Sequence, residues 1–187
     1  MKILDGVLYH RMLPIVEPQL DQRQFAYRRS RGTEMVSAEM VDLAHRPLNR
    51  GLHVYMVSFD VPGAFDRVPL HGLMTAMDRF NIDPYIRRVE HNWLRNRTFQ
   101  VRLRANGGVY KSKVHTVTCG LPQGGVLSPL LWLMFFNGAT GQLGTNQRGV
   151  VEAGDSSGSF FSADDITTLI TASMRERLGE LARQHYA

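Results

Sequence analysis

The sequence runs to 187 residues, 43% apolar and 21% charged, which excludes wholesale disorder and allows one domain with a core of ordinary size. Lys and Arg outnumber Asp and Glu by 22 to 17, and 19 of the 22 cations are Arg, a residue that grips phosphate with two prongs and stacks on bases. The balance leans toward nucleic acid, and a basic surface kept for solubility explains the charge alone equally well. A single cysteine, Cys119, excludes an internal disulfide and a cysteine zinc site.

Ile3, Leu4, Val7, Leu8 and Met12 fall at helical spacing near the N-terminus. The polar, basic stretch from Glu17 to Thr33 reads as loop. Thr33 is placed to cap a helix over 34–46 with Val36, Met40, Leu43 and Ala44 inward. Residues 53–60, HVYMVSFD, are apolar on both faces, which predicts a central strand covered on both sides. Pro69 opens a helix with Leu70, Leu73, Met74 and Met77 on one side. Asp83 and Pro84 start another, with Ile86, Val89 and Trp93 inward. TFQVRLR alternates strictly, the Asn-Gly at 106–107 signals a hairpin, and VYKSKVHTV is the returning strand. Leu127, Leu130, Leu131, Met134 and Phe135 mark a long apolar helix. Strands follow over 148–153, 158–162 and 166–171, then a last helix in MRERLGELARQ. Helices and antiparallel strands mix in an α+β pattern.

Two aspartates, Asp164 and Asp165, interrupt the last pair of strands. A two-residue break between short apolar runs predicts a hairpin, with Ala163 and Asp164 in the turn and Asp165 entering the second strand. An Asp-containing turn needs no function. Asp60, however, ends the strand of residues 53–60, where a carboxylate is equally out of place. Carboxylates converging there could hold two Mg²⁺ ions, which favour a few carboxylate oxygens together with substrate phosphates.

FDVPGAF, GLPQGGVLSPLLW and SADDI occur in that order, preceded by QFAYRRSRGTE. Together they resemble motifs A, B and C and a finger segment of the reverse transcriptases of non-long-terminal-repeat retrotransposons. Three ordered motifs are a far stronger signal than any one alone. The resemblance covers about residues 2–175. It implies an α+β polymerase palm with an antiparallel sheet, packed helices and partial fingers. Residues 1–50 would be partial fingers and 51–187 palm, with a finger-like insert near 80–118.

By the same resemblance, Asp60, Asp164 and Asp165 are the catalytic metal ligands, for two Mg²⁺ ions with Mn²⁺ as the alternative. Phe65 is the aromatic gate beneath the incoming sugar, or a plain core residue. Gln123 and Gly124 meet the incoming nucleotide, or simply start a helix. Arg28 contacts triphosphate or template with Arg23, Arg29 and Arg31, or belongs to a solvated loop. Arg95, Arg97, Arg102 and Arg104 form a second basic strip toward template or primer, or an exposed hairpin face. The implied partners are an RNA template, a DNA primer and deoxynucleoside triphosphates.

The chain departs from the family at Ser162, where an aromatic is usual, and at Pro62. No later palm segment, thumb or endonuclease is found, so a fragment of a longer parent protein is expected. The alternative function is an inactive palm remnant that binds nucleic acid without chemistry. An RNA-templated RNA polymerase is disfavoured by Phe65, and a two-metal nuclease leaves LPQGG and DVPGAF without a task. The longest apolar run, LLWLMFF, is far short of the ~20 residues a membrane span needs, and no signal-peptide plan opens the chain, so an intracellular protein without a membrane partner is expected.

Overall fold

The computed structural model describes residues 2–105, 107–140 and 156–172. The strand expected over 148–153 and the helix expected after Ser173 lie outside them. The elements are α1 (Lys2–Val16), α2 (Thr33–Leu48), β1 (His53–Asp60), α3 (Leu70–Arg79), α4 (Pro84–Arg95), β2 (Thr98–Phe99), β3 (Arg102–Ala105), β4 (Gly108–Lys111), β5 (His115–Thr116), α5 (Ser128–Thr140), β6 (Ser156–Ser162) and β7 (Asp165–Ala172). This is the α+β mixture expected. No helix among the described residues is long and apolar enough to cross a membrane. The chain divides into two compact units: Met1–Ile15 with Phe65–Phe135, and Val16–Ala64 with Phe136–Ala187.

The second unit is built on an antiparallel sheet in the order β1-β7-β6. The strand expected at the centre, β1, is an edge among the described residues, and Tyr55, Met56 and Phe59 on it are exposed. The centre belongs to β7, which is buried from Thr168 to Ala172. Its threonines hide this role from a hydropathy reading. They are tolerated inside because hydroxyls pair across strands: Ser159 Oγ lies 2.9 Å from Thr168 Oγ1, and Ser58 Oγ lies 3.0 Å from Thr167 Oγ1.

One face of the sheet carries Val54, Leu169 and Phe160, packed with Phe25 and with Val36, Met40 and Leu43 of α2. The helix thus buries the face its spacing predicted. Its cap differs from expectation. Gly32 is the N-cap, with extended backbone and no side-chain cap bond, and Thr33 is the first helical residue. On the far edge of β6, residues 23–25 pair with Phe161: the Phe161 amide donates to the Arg23 carbonyl and the Phe25 amide to the Phe161 carbonyl, both at 2.9 Å.

In the first unit α3 packs on α4. Asp83 caps α4, its carboxylate accepting from the Tyr85 amide at 2.7 Å. The expected inward residue Ile86 is buried, but Val89 and Trp93 are only half-buried, and Glu90 is buried at 2% exposure. A glutamate on an inward helix face is invisible to apolar counting. Its Oε2 has no hydrogen-bond partner. Burial, and then the nearby charge of Asp5 on α1, push its carboxyl up to about 7.

Farther along, the loop after Phe65 is tied to the segment before α5. The Gly120 amide donates to the Val68 carbonyl at 2.8 Å and the Leu121 amide to the Phe65 carbonyl at 2.7 Å. Gly120 has φ +88°, and a Cβ there would stand 2.6 Å from the Asp66 carbonyl oxygen. Only glycine fits that approach.

Two outcomes follow. Glu90 holds a proton in the folded state between its ordinary 4.5 and about 7, where the unfolded chain has lost it. Stability from this group is therefore full at low pH and falls as pH rises to about 7, by on the order of 3 kcal/mol. Thermal melts of Glu90→Gln should lose most of the decline that the parent chain shows between about pH 5 and pH 8. Gly120→Ala should lower stability by about 2 kcal/mol or more in denaturant titrations, through backbone strain and the clash with Asp66.

Candidate active site

The acidic residues are set by the β1–β7 ladder. Asp60 and Asp165 are register partners, and directly opposite residues of an antiparallel pair share a face. One place farther on, the Val61 amide donates to the Asp164 carbonyl at 3.1 Å, so the ladder carries past the strand end into the hairpin turn. Asp60, Asp164 and Asp165 are thus brought to one tip of the sheet. Asp60 and Asp165 are exposed and Asp164 is half-buried.

The hairpin has the layout expected: β6 ends at Ser162, Ala163 and Asp164 form the turn, and β7 begins at Asp165. Ala163 has φ +58°. Two-residue hairpins of this kind favour glycine at their first turn position, so the alanine stores about 1 kcal/mol or more of strain beside Asp164. Ser162 is the register partner of Asp165 on the other side. Asp60, Asp165 and Ser162 therefore form one row across three strands. Pro62 lies beyond the end of β1, where its missing amide breaks no strand pairing.

Carboxylate oxygens are the donors that hard divalent cations take, so the composition of this tip suits Mg²⁺ or Mn²⁺. Among the described residues, no three His, Cys, Asp or Glu side chains close on a common point in the way a finished metal site requires. Backbone pairing assembles the donors, and their side chains stand apart.

The other candidates lie in the first unit, except Arg28. Phe65 is half-buried, with its ring 5.5 Å from that of Trp132, which is buried on α5. Gln123 is exposed, and its Nε2 donates to Asp66 Oδ1 at 3.1 Å. The bond fixes which way the amide faces, and nothing in the sequence marked Asp66 for that task. Gly124 has φ +79°, and an added Cβ would meet nothing within 4 Å, so the backbone there is open to approach. Ser128 Oγ donates to the Pro122 carbonyl at 2.6 Å, tying the turn to the first residue of α5.

Arg23 and Arg28 are placed differently from an exposed phosphate grip, whereas Arg29 is exposed and Arg31 half-buried. Arg28 is buried at 7% exposure. Its guanidinium pairs with Glu17 at 2.8 Å and donates to the carbonyls of Asp21 (2.8 Å) and Gln24 (3.1 Å). Arg23 is also buried. It meets Asp21 with two nitrogens, at 3.0 and 2.7 Å, donates to the Thr140 carbonyl at 2.7 Å, and lies 5.3 Å over the Phe161 ring. Burial pushes the Asp21 carboxyl up, but the hydrogen bonds and charge of Arg23 outweigh it and hold the group below its ordinary value. Acids two and eleven positions away in sequence were the available sign that these two arginines brace the loop from the inside.

The family model for "Reverse transcriptase (RNA-dependent DNA polymerase)" matches residues 1–185. The chain is 29% identical over 136 residues to the RNA-directed DNA polymerase from mobile element jockey of Drosophila melanogaster, covering 72% of this chain and 14% of that protein. It is 29% identical over 143 residues to the probable RNA-directed DNA polymerase from transposon X-element of the same organism, with the same coverage. The chain thus spans 14% of the length of these relatives. Its fold resembles that of telomerase from Candida tropicalis truncated from the C-terminal domain, with TM-score 0.60 and 14% identity over 97% of this chain and 36% of the other. A telomerase of that organism in complex with a fragment of telomeric RNA gives TM-score 0.63 and 14% identity over 96% of this chain and 29% of the other. With a family match over almost its whole length, and with mobile-element polymerases among its relatives, the chain belongs to the reverse transcriptase family, as the order of its three motifs led us to expect.

Proposed function

We propose that the chain is the palm-and-fingers portion of an RNA-directed DNA polymerase, with partial fingers in residues 1–50 and palm in 51–187. It would extend a DNA primer along an RNA template from deoxynucleoside triphosphates, inside the cell. The observation that carries this reading is the pairing of Asp60 with Asp165 at a strand tip whose next ladder bond joins Val61 to Asp164. Family membership alone would not supply that geometry.

In this reading Asp60, Asp164 and Asp165 hold divalent cations. Such ions, when bound, supply charge stabilisation for the attacking and leaving oxygens of an in-line displacement at phosphorus. The rest of the chain aligns and selects. The Phe65 ring, backed by Trp132, lies beneath the incoming sugar and leaves no room for a 2′-hydroxyl. The Gln123 amide, turned by Asp66, meets the nucleotide, and the open backbone at Gly124 lets it come close. Arg28 serves from the inside: its bonds to Glu17, Asp21 and Gln24 hold the finger loop in shape. Alignment of this kind supplies much of the rate in phosphoryl transfer.

The second reading, a palm remnant that binds nucleic acid without chemistry, is favoured by Ser162. It stands in the acidic row, at the place where the family carries an aromatic.

Primer extension on an RNA template with Mg²⁺ or Mn²⁺ separates the two. Asp60→Asn and Asp164→Asn should each lower extension by on the order of 100-fold or more. Robust extension that survives both changes would remove the site assignment, and salt-dependent RNA binding without extension would establish the remnant. In an extending protein, Phe65→Val should raise ribonucleotide use relative to deoxynucleotide use by about 10- to 100-fold, measured as a ratio of kcat/KM values.

A further inference from the structure

The two-stranded ribbon between α4 and α5 carries Arg102 and Arg104, for which the sequence left a basic strip and a plain exposed face equally open. It is made of β2 with β5 and β3 with β4. Every described residue from Thr98 to Thr116 is exposed except Gly108 and Ser112, which are half-buried. Two residues separate β2 from β3, and three separate β4 from β5. The returning strand therefore carries one extra residue, a bulge that sharpens the ribbon's twist. Ser112 sits in it, its Oγ accepting from the Val101 amide at 3.0 Å.

The register puts Arg102 directly opposite Lys111. Arg104 lies two residues along the same strand and so on the same face. Like charges set opposite each other weaken a strand pair, and a lone ribbon is marginal in water to begin with. None of the three cations pairs with an acid among the described residues. None could find one locally: the sequence holds no Asp or Glu from His91 to Val151. A face kept for solubility mixes its signs, and this one carries a single sign.

We infer that this ribbon face, through Arg102, Arg104 and Lys111, is a binding site for the phosphate backbone of a nucleic acid. An anion lying between Arg102 and Lys111 turns their repulsion into two attractions. Residues two apart on a strand stand about 7 Å apart, and a duplex strand presents a phosphate every ~3.4 Å of helix axis, so a polyanion satisfies the face better than one isolated phosphate. The strip is narrower than the run of arginines suggests. Arg97 does not belong to it: its guanidinium donates to the Leu94 carbonyl at 3.2 Å and to the Gly120 carbonyl, bracing the turn before Leu121. Contacts to phosphate carry no sequence information, so the site would position a strand without reading it. The inference rests on the polymerase reading only for the identity of the polyanion.

The test is binding of a labelled RNA–DNA primer-template duplex by the whole chain between about 50 and 200 mM salt. The variant is Arg102→Gln/Arg104→Gln/Lys111→Gln. The control removes the same charge elsewhere, as Arg11→Gln/Arg50→Gln/Arg79→Gln, all exposed positions. The ribbon variant should melt like the parent, bind about tenfold or more weakly at the low-salt end, and flatten the log–log salt slope by about 2 to 3. The control should keep most of the parent slope. A ribbon variant with the parent's slope and affinity, or a control that loses as much, overturns the ribbon site and leaves the polymerase reading to its own extension assay. A parent chain that binds no duplex at any salt, or binds only phosphatidylserine vesicles, overturns both.

Discussion

The acidic tip depends on one register, that of β1 against β7. Side chains alternate along a strand, so a slip of one residue would take Asp60 off the face it shares with Asp165 and set Phe59 in its place. The features that forbid the slip lie away from the tip. Val54 and Leu169 reach the same apolar cluster as Phe160 only in the observed pairing. The Ser58–Thr167 hydroxyl pair would also be broken, while the buried Ser159–Thr168 pair ties β7 to β6. The two-residue turn at Ala163 and Asp164 fixes β6 to the same count. The acidic groups can then stand toward water, where they cost the fold little, while buried apolar groups two to six residues along the strands hold them in line.

The first unit solves a similar problem by a different bond. Phe65 and Gln123 are 58 positions apart in the chain, and no side-chain packing alone would index them. Backbone hydrogen bonds from Gly120 to Val68 and from Leu121 to Phe65 do so, and they are possible because Gly120 lets the chain come within van der Waals contact of Asp66. Asp66 then sets the Gln123 amide through its side chain. A close backbone approach, a positive φ and a side-chain clasp fall within four residues on each side, Phe65–Val68 and Gly120–Gln123. Each would be a loose constraint by itself, and together they leave the turn little freedom.

Much of this was legible in the amino-acid sequence, and the reasons differ by element. Asp83 before Pro84, the apolar spacing of α2 and α5, and the break at Ala163–Asp164 are local signals that the structure bears out, whereas the cap expected at Thr33 falls at Gly32. What failed was anything that depends on what lies across from a residue. β1 is apolar on both faces, a pattern that reads as the centre of a sheet, yet among the described residues it is an edge, while β7 takes the centre with threonines whose hydroxyls are answered by neighbours from other strands. Glu90 counts as polar in any helix projection and is nonetheless buried, because a carboxyl with a raised pKa can enter the interior without its charge. Asp66 carries no motif meaning in isolation, and only the distance to Gln123 gives it one.

The arginines show why a total charge says little about where a polyanion would lie. Arg is strongly represented here, and its count pointed toward nucleic acid as a whole. The structure divides the set. Arg23 and Arg28 are interior residues, and a buried guanidinium is tolerable only with its charge answered and its five donors largely used. Asp21, Glu17 and a series of carbonyls meet that demand. Arg97 meets it with carbonyls alone, which is why an acid nearby in sequence is a useful sign of an internal role without being a required one. Arg102, Arg104 and Lys111 lack burial and, among the described residues, acidic partners, and two of them are set against each other by the ladder itself. Cations of that kind gain from an external anion what the interior ones already obtain from the chain, so the electrostatic face of the molecule is defined by the charges its own fold leaves unanswered.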